Sequence, residues 1–535
     1  MPIAREHTHI FQAYVPEWLK YAALTITVLP VVLVFGAVTA SMPHAMGYYG
    51  FSTGDVEFGL LVFYAVVTAY TPLSNDFFAR LPAKTYLWIS VTGQLLALYG
   101  CYRARSMGFL LCMRVISSMC NAGINGVCLN ILFTKLRSKN AREIGYAFFY
   151  TMVLCSGLLC SWIGNATFDV RDLNYFYKVL MFSFLPGTIL LTYILRNDVR
   201  LVPFKLLRVN QMGLVDCLLI LIVFISLGYI AAYGQEYDWD KRIFRAGVIA
   251  AFFGLCEFLR FKYKQRPYLR IKSFKSRNFR MGLLLLFVLY IVRGAFNLTT
   301  TYFETVLETP FVEMTQLMLV TVAGIVAGGI ISTYLLTRKI SIRIIWLIGF
   351  NLLFIFYAVM HFRLNANTSM YYYVPLFIMD GIGQGMLMNP LIVFIVSSVP
   401  KNSSSSASAF AVMTRFLGFA GSFLLITFTE QWFPRIHQSI IGTKLNAANP
   451  QFTQQVQHMA GLLQLRGVLP DHAGGIATGM LAGAMHKELF IEYMMEYFQW
   501  MAVLSLAAIL LIMLMPALTK TIINVRHKRP FGAGF

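Results

Sequence analysis

Runs of about twenty apolar residues, separated by short polar segments, repeat along the whole chain. Each run is long enough to cross ~30 Å of hydrocarbon as a helix, and a helix satisfies its own backbone hydrogen bonds where lipid offers none. The pattern predicts fourteen spans at 21–41, 57–75, 86–101, 107–132, 143–165, 177–195, 212–234, 243–261, 281–303, 313–337, 344–361, 371–397, 408–429 and 492–517. The first run follows a polar leader over 1–20 and has no A-x-A-like site before Ser41, so it reads as a retained span and not a cleaved signal. The polar segment 430–491, interrupted by "VLPDHAGG", reads as an outer loop holding at most short helices.

Three spans carry polar residues at i, i+4, i+7 and i+11, a spacing that keeps them on one helical face. The second span has Tyr64, Thr68, Thr71 and Asn75; the fourth has Arg114, Ser118, Asn121 and Asn125; the ninth has Arg293, Asn297, Thr300 and Glu304. Such faces either line a water-filled cavity or bond neighbouring helices together. The arginines favour the cavity, since a charge in mid-span needs a partner or water. Arg415 lies about two turns from a predicted cytoplasmic loop, within reach of snorkelling. Glu257 has Arg260 and Lys262 close by and reads as part of a loop ion pair. In the twelfth span "DGIGQGMLMNP" sets Asp380 among glycines with Gln384 one turn on. A carboxylate costs ~2.5–3.5 kcal/mol in hydrocarbon on insertion scales, so Asp380 is either tied to a structural partner or carries a proton between the two sides.

Composition agrees with the spans. The 535 residues are 58% hydrophobic and 13% charged, too little charge to cover a soluble surface. The net charge of +21 does not cluster on a soluble domain, which argues against nucleic acid as a partner. With span-end residues assigned to the adjoining loops, an N-terminus in the cytoplasm puts 29 of the 44 Lys and Arg on the cytoplasmic side, 12 outside and three within spans. Both termini are therefore expected in the cytoplasm. The eight cysteines show neither metal-ligand nor disulfide spacing and read as packing residues, and no cofactor is expected. No phosphate-cradling GxxxxGK[ST] is present, so ATP is not the expected direct energy source.

The order of several motifs resembles the major facilitator superfamily, in particular its fourteen-helix drug:proton antiporter branch. "MRVISSMCNAGINGVCLN" is similar to the fourth-helix motif, with Arg114 at its arginine. "FDVRDLNYFYKVLMFSFLPG", "NQMGLVDCLLILIVFISLGYIAAYGQEYDWD", "DGIGQGMLMNP" and "MTRFLGFAGS" are similar to segments of the sixth, seventh, twelfth and thirteenth helices. The sequence departs from the family where Val34 occupies the usual first-helix Asp position and where Ala79 replaces an Asp in "DFFARLPAK".

The resemblance implies an all-α membrane protein with the major facilitator fold. Its six-helix bundles are expected over 21–195 and 281–517, the second including the outer loop 430–491, with an inserted helix pair and its flanking loops over 196–280 and a tail over 518–535. That pair is expected to lie outside the core. Asp380, Glu304 and Arg114 are the candidates for proton coupling. Tyr64, Thr68, Thr71, Arg114, Ser118, Asn121, Asn125, Arg293, Asn297, Thr300 and Gln384 are candidates for a substrate cavity shared by Arg114, Arg293 and Asp380. Asp76, Arg80, Lys84 and Arg415 are the gating candidates.

The function expected is proton-coupled export of an amphipathic or lipophilic small molecule by a secondary transporter, not an enzyme. The resemblance further implies a monomer in a bacterial cytoplasmic membrane with a periplasmic adaptor as partner. An uncoupled facilitator or importer of the same fold is the alternative, given Val34. A polytopic enzyme acting on lipid-linked substrates is more remote, because His458, Asp471 and His472 form no metal or acid/base spacing.

Overall fold

The apolar runs form helices, as their length and their want of other backbone partners require. The computed structural model describes residues 10–12, 14–40, 50, 52–78, 81–135, 141–168, 174–197, 199, 213–264, 268–365, 369–400, 403–444 and 450–515. The helices of the first part are α1 (Glu17–Ala40), α2 (Thr53–Phe78), α3 (Ala83–Arg103), α4 (Met107–Lys135), α5 (Ala141–Phe168) and α6 (Asn174–Ile194). Next come α7 (Leu214–Tyr233) and α8 (Lys241–Tyr263). The last part has α9 (Arg277–Gly294), α10 (Phe296–Thr305), α11 (Phe311–Thr337), α12 (Ile342–Arg363), α13 (Val374–Ser397), α14 (Ser404–Lys444), α15 (Pro450–Leu465) and α16 (Pro470–Met513).

Among the described residues, twelve stretches are long and apolar enough to cross a membrane, with α9 and α10 together making one of them. The fourteen expected included α3 and α8, which do not qualify by composition. Thr85, Ser90, Thr92 and Gln94 dilute the middle of α3, and α8 carries Arg242, Arg245, Glu257 and Arg260 towards its two ends.

In the first part, α1 packs on α5 and α6, α3 on α4 and α6, and α2 on α4. In the last, α11 and α12 pack on α13, α9 on α13 and α14, and α12 on α16. These two halves meet where α5 touches α11 and α13, and where α2 touches α14. Of the inserted pair, α8 packs along α7, and α7 reaches the seam. Helix α7 packs on both α2 and α14, and the Phe224 and Phe416 rings meet edge to face at 4.8 Å.

The α11–α13 contact brings the two backbones unusually close. Gly324 and Gly328 on α11 face Gly381 and Gly385 on α13, a four-residue spacing on each helix. A Cβ on Gly328 would lie 2.3 Å from the Ile382 carbonyl oxygen, and one on Gly385 would lie 2.3 Å from that of Ile325. Small residues at this spacing let membrane helices gain van der Waals contact where no hydrophobic drive exists between them.

The segment 430–491 is not a loop with short helices. Helix α14 runs for 41 residues and α16 for 44, so each is ~60 Å long or more, about twice the hydrocarbon thickness. Helix α15 packs along α16.

Candidate functional site

The ninth predicted span is broken. Helix α9 ends at Gly294 and α10 begins at Phe296, with Ala295 between them. Gly294 lies hard against Ser422 of α14 and has no room for a side chain. The Tyr357 hydroxyl of α12 donates to the Val292 carbonyl at 2.6 Å, serving backbone next to the break. Broken helices of this kind are tolerated in membranes where protein or a cavity surrounds them.

Arg293 sits immediately before the break, and the site is built on it. Its Nε donates to the Gln384 Oε1 at 3.0 Å, and its Nη2 to the Leu154 carbonyl of α5 at 2.9 Å. The Gln384 Nε2 in turn donates to the Asp380 Oδ2 at 2.8 Å. Asp380 is fully buried, and among the described residues its second oxygen, Oδ1, has no hydrogen-bond partner. Gln384 reaches Asp380 because four residues of helix separate them, which places both on one face of α13. One guanidinium is thus bonded to both halves of the molecule, and one carboxylate is linked to it through an amide.

Arg415 lies on α14 at the same seam. Its residue is 9% exposed, so it does not snorkel. The guanidinium lies over the Tyr150 ring of α5, 5.2 Å from the centroid, with Tyr64 and Tyr290 as further neighbours. Among the described residues its Nη1 has no hydrogen-bond partner. Tyr64 of α2 packs on Phe35 at 5.5 Å and on Phe419 of α14 at 5.3 Å, again across the halves.

The other candidates fall elsewhere. Arg114 donates to the Tyr177 hydroxyl of α6 at 3.0 Å and lies over the Phe63 ring, inside the first half. Among the described contacts it does not meet Arg293 or Asp380 directly. Asn121 donates to the Val31 carbonyl of α1 at 2.6 Å, Asn125 to the Asn121 side chain at 2.8 Å, and Ser118 to the Arg114 carbonyl at 2.6 Å. This stripe bonds α4 to α1 and α6; it is glue within a bundle.

On α2, Thr71 donates to its own helix at Val67, while the buried Thr68 hydroxyl has no partner. The rest of the ninth-span stripe lies beyond Ala295, on α10. Thr300 bonds the Asn297 carbonyl, and Asn297 and Glu304 are exposed. Lys84 donates to the Asn197 side chain at 2.8 Å. Arg80 lies outside the described residues, as do the side chains of Asp76 and Asn75. Glu257 is not ion-paired as expected: Asp216 of α7 takes both Arg260 at 2.7 Å and Lys264 at 2.5 Å, and the two Glu257 oxygens have no hydrogen-bond partner. All eight cysteines are free.

Solved membrane transporters share the fold of the chain. A bacterial homologue of the human lysosomal transporter Spinster, in an inward-facing unoccupied state, aligns with a TM-score of 0.55 at 14% identity, covering 96% of this chain and 100% of its own. The human organic anion transporter MFSD10 (TETRAN) aligns with a TM-score of 0.53 at 11% identity, covering 77% of this chain and 93% of its own. A peptide transporter bound to alafosfalin gives 0.54 at 9% identity, covering 89% and 95%. No curated protein sequence matches the chain. The family model of the Major Facilitator Superfamily matches residues 24–422, most of the chain. With that match and the two packed halves, the chain belongs to the major facilitator superfamily of membrane transporters.

Proposed function

We propose that the chain is a proton-coupled secondary transporter that moves an amphipathic or lipophilic small molecule by alternating access of its two halves. The observation that carries this reading is the double attachment of Arg293, to Gln384 and Asp380 in one half and to the Leu154 carbonyl in the other. Rocking of the halves has to break the bond to Leu154. The ionised Asp380 orders the relay, because it fixes the Gln384 amide with its oxygen towards Arg293. A proton taken up on the bare Oδ1 removes that charge, weakens the Gln384 bond at Oδ2 and with it the hold on Arg293, and its release restores them. Asp380 stands ahead of Glu304 and Arg114 as the coupling residue, because it alone of the three joins this relay.

Export in exchange for protons, through a fourteen-helix antiporter of the drug:proton branch, is supported by the motif resemblance. Helices α3 and α8 count as spans on this reading, since α3 packs between α4 and α6 and α8 along α7. Fourteen crossings place both termini on one side, which the basic-loop bias assigns to the cytoplasm, and the resemblance implies a bacterial cytoplasmic membrane. A monomer working with a periplasmic adaptor follows from the same resemblance. A second reading, an uncoupled facilitator or importer of the same fold, is supported by Val34 at the usual first-helix Asp position.

The test is Asp380→Asn in proteoliposomes and everted vesicles. The variant is expected to bind substrate and to catalyse counterflow, and to lose accumulation driven by a proton gradient. Accumulation against a gradient by the Asn variant would move the coupling residue elsewhere, and the polarity of gradient that drives the wild type separates export from uptake.

A further inference from the structure

We infer that the substrate is an amphipathic anion, whose carboxylate, phosphate or sulfonate docks on Arg415 and whose apolar body lies against the Tyr64–Phe419 wall. This rests on the transporter reading above but not on the role given to Asp380. An arginine cannot shed its charge at any pH a cell meets, so burial leaves it only the choice of a partner or a penalty. Buried charges in proteins are paired. Arg415 is buried with a free Nη1, and the groups that surround it are tyrosines.

The rings do not close the balance. The face of Tyr150 attracts a cation through its quadrupole but carries no net charge. Asp380 is committed through Gln384 to Arg293. Among the described residues, no salt bridge includes Arg415. Among the described residues nothing supplies the missing charge, and an anion from outside the chain would. Arg415 is well placed to meet it, since its neighbours come from α2, α5 and α9, that is, from both halves. An anion held there is gripped by both halves at once, as a transported substrate must be. Next to it, Tyr64 packed on Phe35 and Phe419 offers a ring-lined apolar surface.

The experiment uses the full chain in phosphatidylcholine nanodiscs with no gradient, so that coupling plays no part in the readout. Five probes share one ring system: naphthoate, naphthyl phosphate, naphthalenesulfonate, neutral naphthamide and cationic naphthylmethylammonium. Calorimetry on the wild type is expected to show at least one anionic probe binding in preference to the neutral and cationic ones. Arg415→Gln is expected to weaken that probe by about tenfold or more, the scale of one lost charge-assisted pair. Arg415→Lys keeps the charge and is expected to fall between the two, while Arg338→Gln, at an exposed site on α11's end, should bind as the wild type does.

Adding phosphatidylglycerol to the discs tells which anion fills the site. If the lipid competes, its headgroup is the anion bound at Arg415. If it does not, the ligand is a soluble anion. Preference for the cation or the neutral amide overturns the inference, as does an absence of binding by all three anions. A folded Arg415→Gln or Arg415→Lys variant, monodisperse and melting normally, that binds the anion as tightly as the wild type overturns it too.

Discussion

Between Arg293 and Asp380 stands a single amide, and its orientation decides whether the two charges feel one another as partners. Gln384→Met keeps the length and apolar stem of the side chain but removes both hydrogen bonds. It is expected to cost ~1–3 kcal/mol of stability and to lose proton-driven accumulation while leaving substrate binding near wild type, read by melting curves and vesicle flux. Loss of binding together with flux would make Gln384 a substrate ligand instead. At this scale the sequence was partly legible. Asp380 and Gln384 could be read together because four residues of helix fix their common face. Arg293 stood out because a mid-span charge demands a partner. Its second partner could not be found, because Leu154 contributes a backbone carbonyl that every residue possesses. The partners of Arg114 were hidden for a related reason: periodicity tells which residues share a face, not which helix that face meets. The tyrosines around Arg415 gave no signal among the 28 in the chain.

Elements follow the same logic with different consequences. Apolar run length located the helices well, but it could not see that Gly294 and Ala295 interrupt the ninth span, since neither residue breaks hydropathy. Neither could it see that the polar stretch beyond 430 stays helical, because helix formation outside lipid depends on propensity and on packing partners such as α15. The glycines of α11 and α13 were legible as small, and their purpose came from the partner helix. Gly328→Ala or Gly385→Ala sets a methyl group 2.3 Å from a carbonyl oxygen of the facing helix and is expected to destabilise the fold by ~1–3 kcal/mol through backbone displacement. Gly247→Ala on α8, with nothing within 4 Å of its Cβ, is expected to be neutral or to gain up to ~1 kcal/mol. Melting temperatures in detergent compare the three. Equal melting of Gly247→Ala and Gly385→Ala would mean that the close α11–α13 contact contributes nothing.

For the whole molecule, the proposed fourteen-crossing topology makes one geometric claim that labelling can check. In a chain stripped of its eight cysteines, Lys275→Cys and Thr478→Cys, both exposed, are expected to react with an impermeant thiol reagent from opposite sides of the membrane. Reaction from the same side would reject the crossing count. The extension of α16 that bears Thr478 is moored to the rest: Lys487 pairs with Glu308, just beyond α10, and holds that carboxyl below its ordinary range. A depressed acid stabilises its link at neutral pH and loses it as pH falls through the lowered value. Spin labels at 478 are therefore expected to gain mobility only in acid, and Lys487→Gln to show that mobility at every pH. Halves that rock by small angles are difficult to watch from within a membrane, yet this chain carries its own pointer. Half of α16, ~30 Å of continuous helix, stands beyond the segment needed to cross the bilayer. A rod of that length sweeps its tip by ~0.5 Å for each degree of tilt at its base, so a swing too slight to register among the packed side chains of the seam is written at the tip as a displacement of several ångströms.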